Sequence, residues 1–178
     1  MGRLAGAFAE AGYEGASLAR LAEASGLKKA SLYHRFPGGK AQMAKEVLAT
    51  VLAWVEDNVL ATLAGDGTGR ERLARVAAAF TALYDGGRRA CLLNMLSTLP
   101  GRGGPCEGQI AQAFTALVDG FARFAEAEGA TPDLARVRAV RAVALLQGSL
   151  VLSRGTGDTG PFADALNELP QLLGVRTP

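Results

Sequence analysis

The chain has 178 residues, 49% of them apolar and 20% charged, with a formal net charge of +2. That length suits one or two small domains sharing a core, and the near-neutral balance excludes a nucleic-acid binder that works through an overall basic field. Two cysteines, Cys91 and Cys106, are too few for a disulfide framework and stand at no metal-ligand spacing, while the N-terminus lacks the apolar core of a secretory signal.

The charge is unevenly placed. From Met1 to Glu46, Arg3, Arg20, Lys28, Lys29, Arg35, Lys40 and Lys45 stand against Glu10, Glu14, Glu23 and Glu46, so this stretch carries +3 and the remainder −1. A basic head on a near-neutral body suits a small DNA-reading module attached to something else. Within the head, Ser17 can cap a helix on which Leu18, Leu21 and Ala22 share one side. Ser25-Gly26 breaks that helix, because glycine takes the left-handed backbone angle that a tight turn needs. A second short helix is expected from Lys28 to Phe36, with Leu32 and Phe36 on its apolar side. Its other side carries Lys28, Lys29, Ser31, Tyr33 and His34, without an acidic residue. Leu27 and Leu32 are expected to plug the corner from below.

Two helices crossing through a glycine turn are a helix-turn-helix, whose second helix enters the major groove of DNA. Lysines there neutralise phosphates, and Ser31, Tyr33 and His34 can bond phosphate or base edges. His34 is the only histidine and has no Cys, Asp or Glu at ligand spacing, so neither a metal site, a catalytic residue nor a cofactor is expected.

After Pro37-Gly38-Gly39 a long helix is expected from Lys40 to about Leu63, striped by Met43, Val47, Leu48, Val51, Leu52, Val55 and Val59 and interrupted only by Trp54. No uninterrupted apolar run reaches the length of a bilayer span, so a soluble cytoplasmic protein with no membrane partner is expected. Thr68 caps the next helix, whose Leu73, Val76, Ala77, Phe80, Leu83 and Tyr84 run to Gly86-Gly87. A short apolar segment, Arg89 to Leu96, precedes a loop from Ser97 to Pro105 that Pro100, Gly101, Gly103 and Gly104 keep from being helical throughout. Helix resumes from Glu107 to Glu128 with Ile110, Phe114, Leu117, Val118, Phe121 and Phe124 inward.

Pro132 then opens a helix reaching Arg154. Val137, Val140, Ala144, Leu145 and Leu152 are expected to pack inward, leaving Val143, Leu146, Leu150 and Val151 to be covered, with Gly148-Ser149 letting another backbone approach. A helix apolar nearly all round must be buried, and one domain of this size struggles to surround it. Gly155 to Gly160 reads as a flexible joint, and Pro161 starts a last helix through Phe162, Leu166 and Leu169 that Pro170 bends or ends. No segment alternates with period two for long enough to be a strand. The chain is expected to be all-α.

The head also resembles a known family. The run Phe8-Ala-Glu-Ala-Gly12-Tyr13-Glu-Gly-Ala-Ser17-Leu18, then Ala22-Glu23-Ala24-Ser25-Gly26-Leu27, then Ser31-Leu32-Tyr33-His34-Arg35-Phe36 and Lys40, is similar to the TetR family of bacterial repressors. Lys28 departs from the Ser or Thr usual at the recognition-helix cap, and Arg35 replaces a common His or Tyr. The first helix looks shorter than the family's by about two turns of roughly 3.6 residues, as either a misplaced start or a trimmed chain would leave it.

The resemblance implies a three-helix DNA-binding head, residues 1–46, joined by the long helix to a helical effector-binding and dimerisation body, residues 47–178. It implies a homodimer bound to a double-stranded DNA operator through Ser17, Lys28, Lys29, Ser31, Tyr33, His34 and Lys40, with Ser17 and Lys40 as phosphate clamps at helix N-termini. It places a four-helix dimer bundle at Val143, Leu146, Gly148, Leu150, Val151, Phe162 and Leu166. It also places a pocket for a small apolar effector at Phe80, Tyr84, Met95, Phe114, Leu117, Phe121 and Gln147, and so implies a repressor that the effector releases. The segment Arg89 to Asn94 resembles the LmrA/YxaF-like branch, whose members respond to drug-like compounds. The rival readings are a helical interaction protein with weakened operator binding, and a redox sensor or enzyme using Cys91 or Cys106. Cys106, expected to open a helix, should then have a thiol made acidic by the helix dipole.

Overall fold

A computed structural model of the chain describes residues 2–97 and 104–175, and among these every regular element is helical. In chain order they are α1 (Arg3–Gly15), α2 (Leu18–Ser25), α3 (Lys29–Arg35), α4 (Gly39–Ala64), α5 (Gly69–Leu83), α6 (Leu92–Leu96), α7 (Glu107–Ala127), α8 (Pro132–Thr156) and α9 (Gly160–Leu172). The loop expected from Ser97 to Pro105 falls mostly outside the described residues.

The described residues form two compact units, each threaded by two stretches of chain. One comprises residues 1–53 and 91–112, the other residues 54–90 and 113–178. The expected division after residue 46 does not anticipate that α6 and the start of α7 join the first unit.

In the first unit, α1 is interrupted at Gly12, whose φ of 68° and ψ of 179° lie outside the helical range. A side chain at Gly12 would be strained, and its Cβ would stand 3.3 Å from the Met95 carbonyl oxygen of α6, the helix packed along α1. Phe8, Leu21, Leu32, Phe36, Met43, Ala44 and Leu48 form the core of this unit, joined by Cys91, Leu92, Leu93, Leu96 and Cys106. Leu27 departs from expectation: it is 43% exposed, and Leu32 alone of that pair fills the corner.

α4 contains a π-helical turn, Glu56–Leu60, in which the Ala61 N–H reaches the Glu56 carbonyl five residues back. The turn keeps Val51, Val55, Val59 and Leu63 on the buried side. Gly39–Ala64 is, by length and a mean hydropathy of 1.5, apolar enough to cross a membrane, but Lys40, Gln42, Lys45, Glu46, Glu56 and Asp57 interrupt it, so it is not an uninterrupted apolar run. Alanines between the larger apolar residues raise its average, and its buried Met43, Leu48, Val55 and Val59 are what a core helix presents.

In the second unit, Thr68 and Glu71 form a capping box at the start of α5: Glu71 N–H donates to the Thr68 hydroxyl, and the Glu71 carboxylate accepts from the Thr68 N–H. Arg72 ties the unit together, donating to the Leu63 carbonyl at 2.7 Å and to Glu128 at 2.9 Å while its guanidinium lies 4.7 Å from the centre of the Phe124 ring. Leu73, Val76, Phe80 and Leu83 of α5 and Leu117, Phe121 and Phe124 of α7 fill the core, and Phe114 and Val118 are only half-buried.

α8 and α9 pack against one another, and here the expected faces are reversed. Val143, Leu146, Leu150, Phe162 and Leu166, expected at a subunit interface, are all buried within this unit, whereas Val137, Val140, Ala144 and Leu152, expected inward, are exposed. The inner side of α8 is made of small residues, Ala135, Ala139, Ala142, Ser149 and Ser153 among Val143, Leu146 and Leu150, which lets its axis lie close to its neighbours. Pro170 neither ends nor breaks α9, which continues to Leu172.

Candidate nucleic-acid interface

The candidate interface lies in the first unit, on α2, α3 and the first turn of α4. Ser17 is the N-cap of α2, and its hydroxyl oxygen accepts the Arg20 N–H at 3.3 Å, which leaves its own proton free to donate outward. Gly26 closes α2 in the left-handed conformation, φ 72° and ψ 16°, and the Leu27 N–H returns to the Ala22 carbonyl. That turn sets the angle at which α3 leaves.

Lys28 stands at the N-cap of α3, where its ammonium, which has no acceptor, makes no cap bond. Lys28, Lys29, Ser31, Tyr33 and His34 are all exposed, and Leu32 and Phe36 are buried beneath them. Tyr33 has 50% of its surface in solvent, more than a packed aromatic would show. Arg35 turns instead toward Glu46, 3.4 Å away, and its guanidinium lies 4.9 Å from the centre of the Phe36 ring. The outer face of α3 therefore offers two lysines and three further hydrogen-bonding side chains.

Lys40, in the first turn of α4, differs from the other two lysines. Its ammonium donates to the Tyr13 carbonyl at 2.9 Å and sits 4.4 Å from the centre of the Tyr13 ring, which stacks on Phe8. Burial and the neighbouring Glu14 and Cys106 push the Tyr13 phenol above its ordinary value, so it stays neutral. Tyr13 was not among the residues the sequence singled out. Its signal was the aromatic next to Gly12, where a kinked helix presents a carbonyl to a lysine distant in sequence.

Of the expected effector residues, Phe80, Tyr84, Leu117, Phe121 and Gln147 line one cavity in the second unit, together with Val143, Leu146 and Leu150. At about 20 Å³ it has room for a single water molecule. Met95 belongs to the first unit, against Gly12, and Phe114 does not line the cavity. Of the expected interface residues, only Gly148 and Val151 lie at the surface. Both cysteines are buried thiols outside any disulfide, and burial raises the Cys106 thiol above its ordinary value although Lys45 pulls it down. The acidic thiol expected from the helix dipole is thus reversed by desolvation. No group of three or more metal-ligating side chains occurs among the described residues.

Residues 5–47 match the family model described as bacterial regulatory proteins, tetR family. Among curated proteins none matches this sequence. The fold is similar to the crystal structure of a TetR transcriptional regulator from Legionella pneumophila, with a TM-score of 0.83 at 20% identity over 94% of this chain and 91% of that one. It is also similar to E. coli NemR in its reduced form, with a TM-score of 0.71 at 18% identity over 96% of this chain and 94% of that one. A third likeness is to a TetR variant from Acinetobacter baumannii in complex with minocycline, with a TM-score of 0.56 at 19% identity over 96% and 90% of the two chains. Residues 5–47, which carry the helix-turn-helix, are thus similar to the tetR family's regulatory proteins, and the fold of the chain is TetR-like.

Proposed function

We propose that the protein is a DNA-binding transcriptional regulator, acting as a repressor in the cytoplasm and reading its operator through the outer face of α3. The observation that carries this reading is that face itself: Lys28, Lys29, Ser31, Tyr33 and His34 exposed together above buried Leu32 and Phe36, on the segment that matches the tetR family. Lys28 and Lys29 supply salt-dependent affinity for phosphate, and Ser31, Tyr33 and His34 face the base edges. Ser17 and Lys40 hold the flanking phosphates.

One α3 reads too few base pairs for useful specificity, so the regulator acts as a homodimer whose two α3 helices enter major grooves about 34 Å apart. The apolar stripe on α8 supports the dimer: Leu134, Val137, Val140, Val151 and Leu152 are each between 43% and 57% exposed, with exposed Ala144 and Gly148 among them. A second copy covers this stripe across a twofold axis, with Gly148 at the closest approach.

The effector binds in the second unit at the Phe80, Tyr84, Leu117, Phe121 and Gln147 cavity. A drug-sized ligand needs about 300 Å³ or more, far above the cavity found, so the effector favours a state in which these helices stand further apart. It releases DNA by binding that state better than the operator-bound one. The minocycline held by the Acinetobacter TetR lends this its chemical class, a drug-like compound, as does the resemblance of Arg89–Asn94 to the LmrA/YxaF-like branch. Cys91 and Cys106, both buried, make poor nucleophiles, which disfavours the enzymatic reading. A gel-shift of the purified protein against the DNA upstream of its own gene tests the proposal. A discrete complex that survives excess unrelated duplex is expected, and a shift abolished by that competitor would refute operator recognition.

A further inference from the structure

We propose that Tyr13 is a positioning residue for DNA binding: its carbonyl and its ring together aim the Lys40 ammonium at a backbone phosphate. The inference rests on the DNA-reading role of the head and adds to it a residue on α1, outside the helix-turn-helix. An ammonium has three N–H donors. In this head the Tyr13 carbonyl takes one at 2.9 Å, and the ring, 4.4 Å away at its centre, takes the positive charge on its face. What remains points away from both, and Lys40 is half-buried, so little water must be shed when an anion arrives.

A free lysine loses rotamer freedom when it is fixed, and a lysine already held loses less. Lys28 and Lys29, both exposed, make the contrast with the half-buried Lys40. Tyr13 lies in the last turn of α1, where carbonyls have no partner within the helix, and its carbonyl takes the Lys40 ammonium from α4. The ring is in turn fixed by Phe8, stacked at 6.4 Å between centroids and 6° between planes. Behind it, the Met95 carbonyl of α6 stands against Gly12. The lysine is thus set by residues from α1 and α6, neither of which carries the reading face.

The test is binding of the full-length protein to a mixed-sequence duplex over a salt series, because a phosphate contact needs no particular sequence. Lys40→Met is expected to lower the salt slope by about one. Tyr13→Leu, which removes the ring and keeps the carbonyl, is expected to weaken binding about two- to fivefold and to move the slope toward that of Lys40→Met. Tyr13→Phe, which keeps both, is expected to restore wild-type affinity and slope. In the Lys40→Met background, Tyr13→Leu should have no further effect. Thermal melting of each variant verifies that the head is folded. Should Tyr13→Leu bind with the wild-type slope while Lys40→Met loses its unit, Tyr13 does not position Lys40 and the inference fails. The same holds if the two substitutions act independently. A wild-type protein that shows no salt-dependent DNA binding would instead overturn the DNA-reading role itself.

Discussion

The Arg72 guanidinium bonds the last turn of α4 and the end of α7 from its own place on α5, and it is only 12% exposed. Removing it leaves Glu128, itself 20% exposed, without its cation, and Arg72→Ala is expected to cost about 3 kcal/mol in urea unfolding. Its periodic position on α5 revealed nothing of this, because its partners lie nine and 56 residues away in sequence. Local chemistry was far easier to read. Thr68 caps α5 as its residue type demands, and Ser17 caps α2. The Thr68 backbone N–H, then its hydroxyl, hold the Glu71 carboxyl below its ordinary value. A carboxyl depressed in the folded state contributes stability above its unfolded value and loses it as the pH falls through the folded one. The stability gap between wild type and Thr68→Ala should therefore narrow in acid, which paired melts at neutral and acid pH will show. Cys106 makes the opposite case, since its place at a helix start pointed to a reactive thiol and burial overrides it. Thiol labelling of the native protein at neutral pH should accordingly be slow at both cysteines and rapid once the protein is unfolded.

At the scale of elements, the helices were legible because their signals are local. A capping Ser or Thr, a glycine at the turn and a 3.6-residue apolar period place α2, α3, α5 and α7 close to where they were expected. α8 was legible as a helix and illegible in its rotation. It is apolar nearly all round, so the period gives two stripes with no way to rank them. Val137, Val140, Ala144, Leu145 and Leu152 were expected inward, but the inner side uses Ala135, Ala139, Ala142, Ser149 and Ser153 among Val143, Leu146 and Leu150, because close helix packing favours small residues. The π-helical turn in α4 was also invisible, since one extra residue in a helical ladder leaves no mark in composition. The rotation of α8 has a direct consequence. Leu152→Glu, on the exposed stripe, should give a folded monomer in sedimentation, while Leu150→Glu, only 2% exposed, should instead destabilise the fold by several kcal/mol. A folded Leu152→Glu protein that still sediments as a dimer would remove α8 from the interface.

At the scale of the whole molecule, the head was legible because its motif is contiguous, whereas the two compact units are each made of two stretches of chain. Residues 91–97 and 104–112 return to the unit that contains the head, and the apposition of Met95 to Gly12 spans 83 residues of sequence that no local pattern connects. The reading face of α3 depended only on residues 28 to 36, and all five of its expected polar residues are exposed. The central claim, that this face meets DNA, is tested most directly by the salt dependence of binding to the upstream duplex for wild type and Lys28→Ala. A slope that falls by about one unit, with affinity lowered alike for upstream and unrelated duplexes, is the predicted result. An unchanged slope and affinity in Lys28→Ala would contradict it.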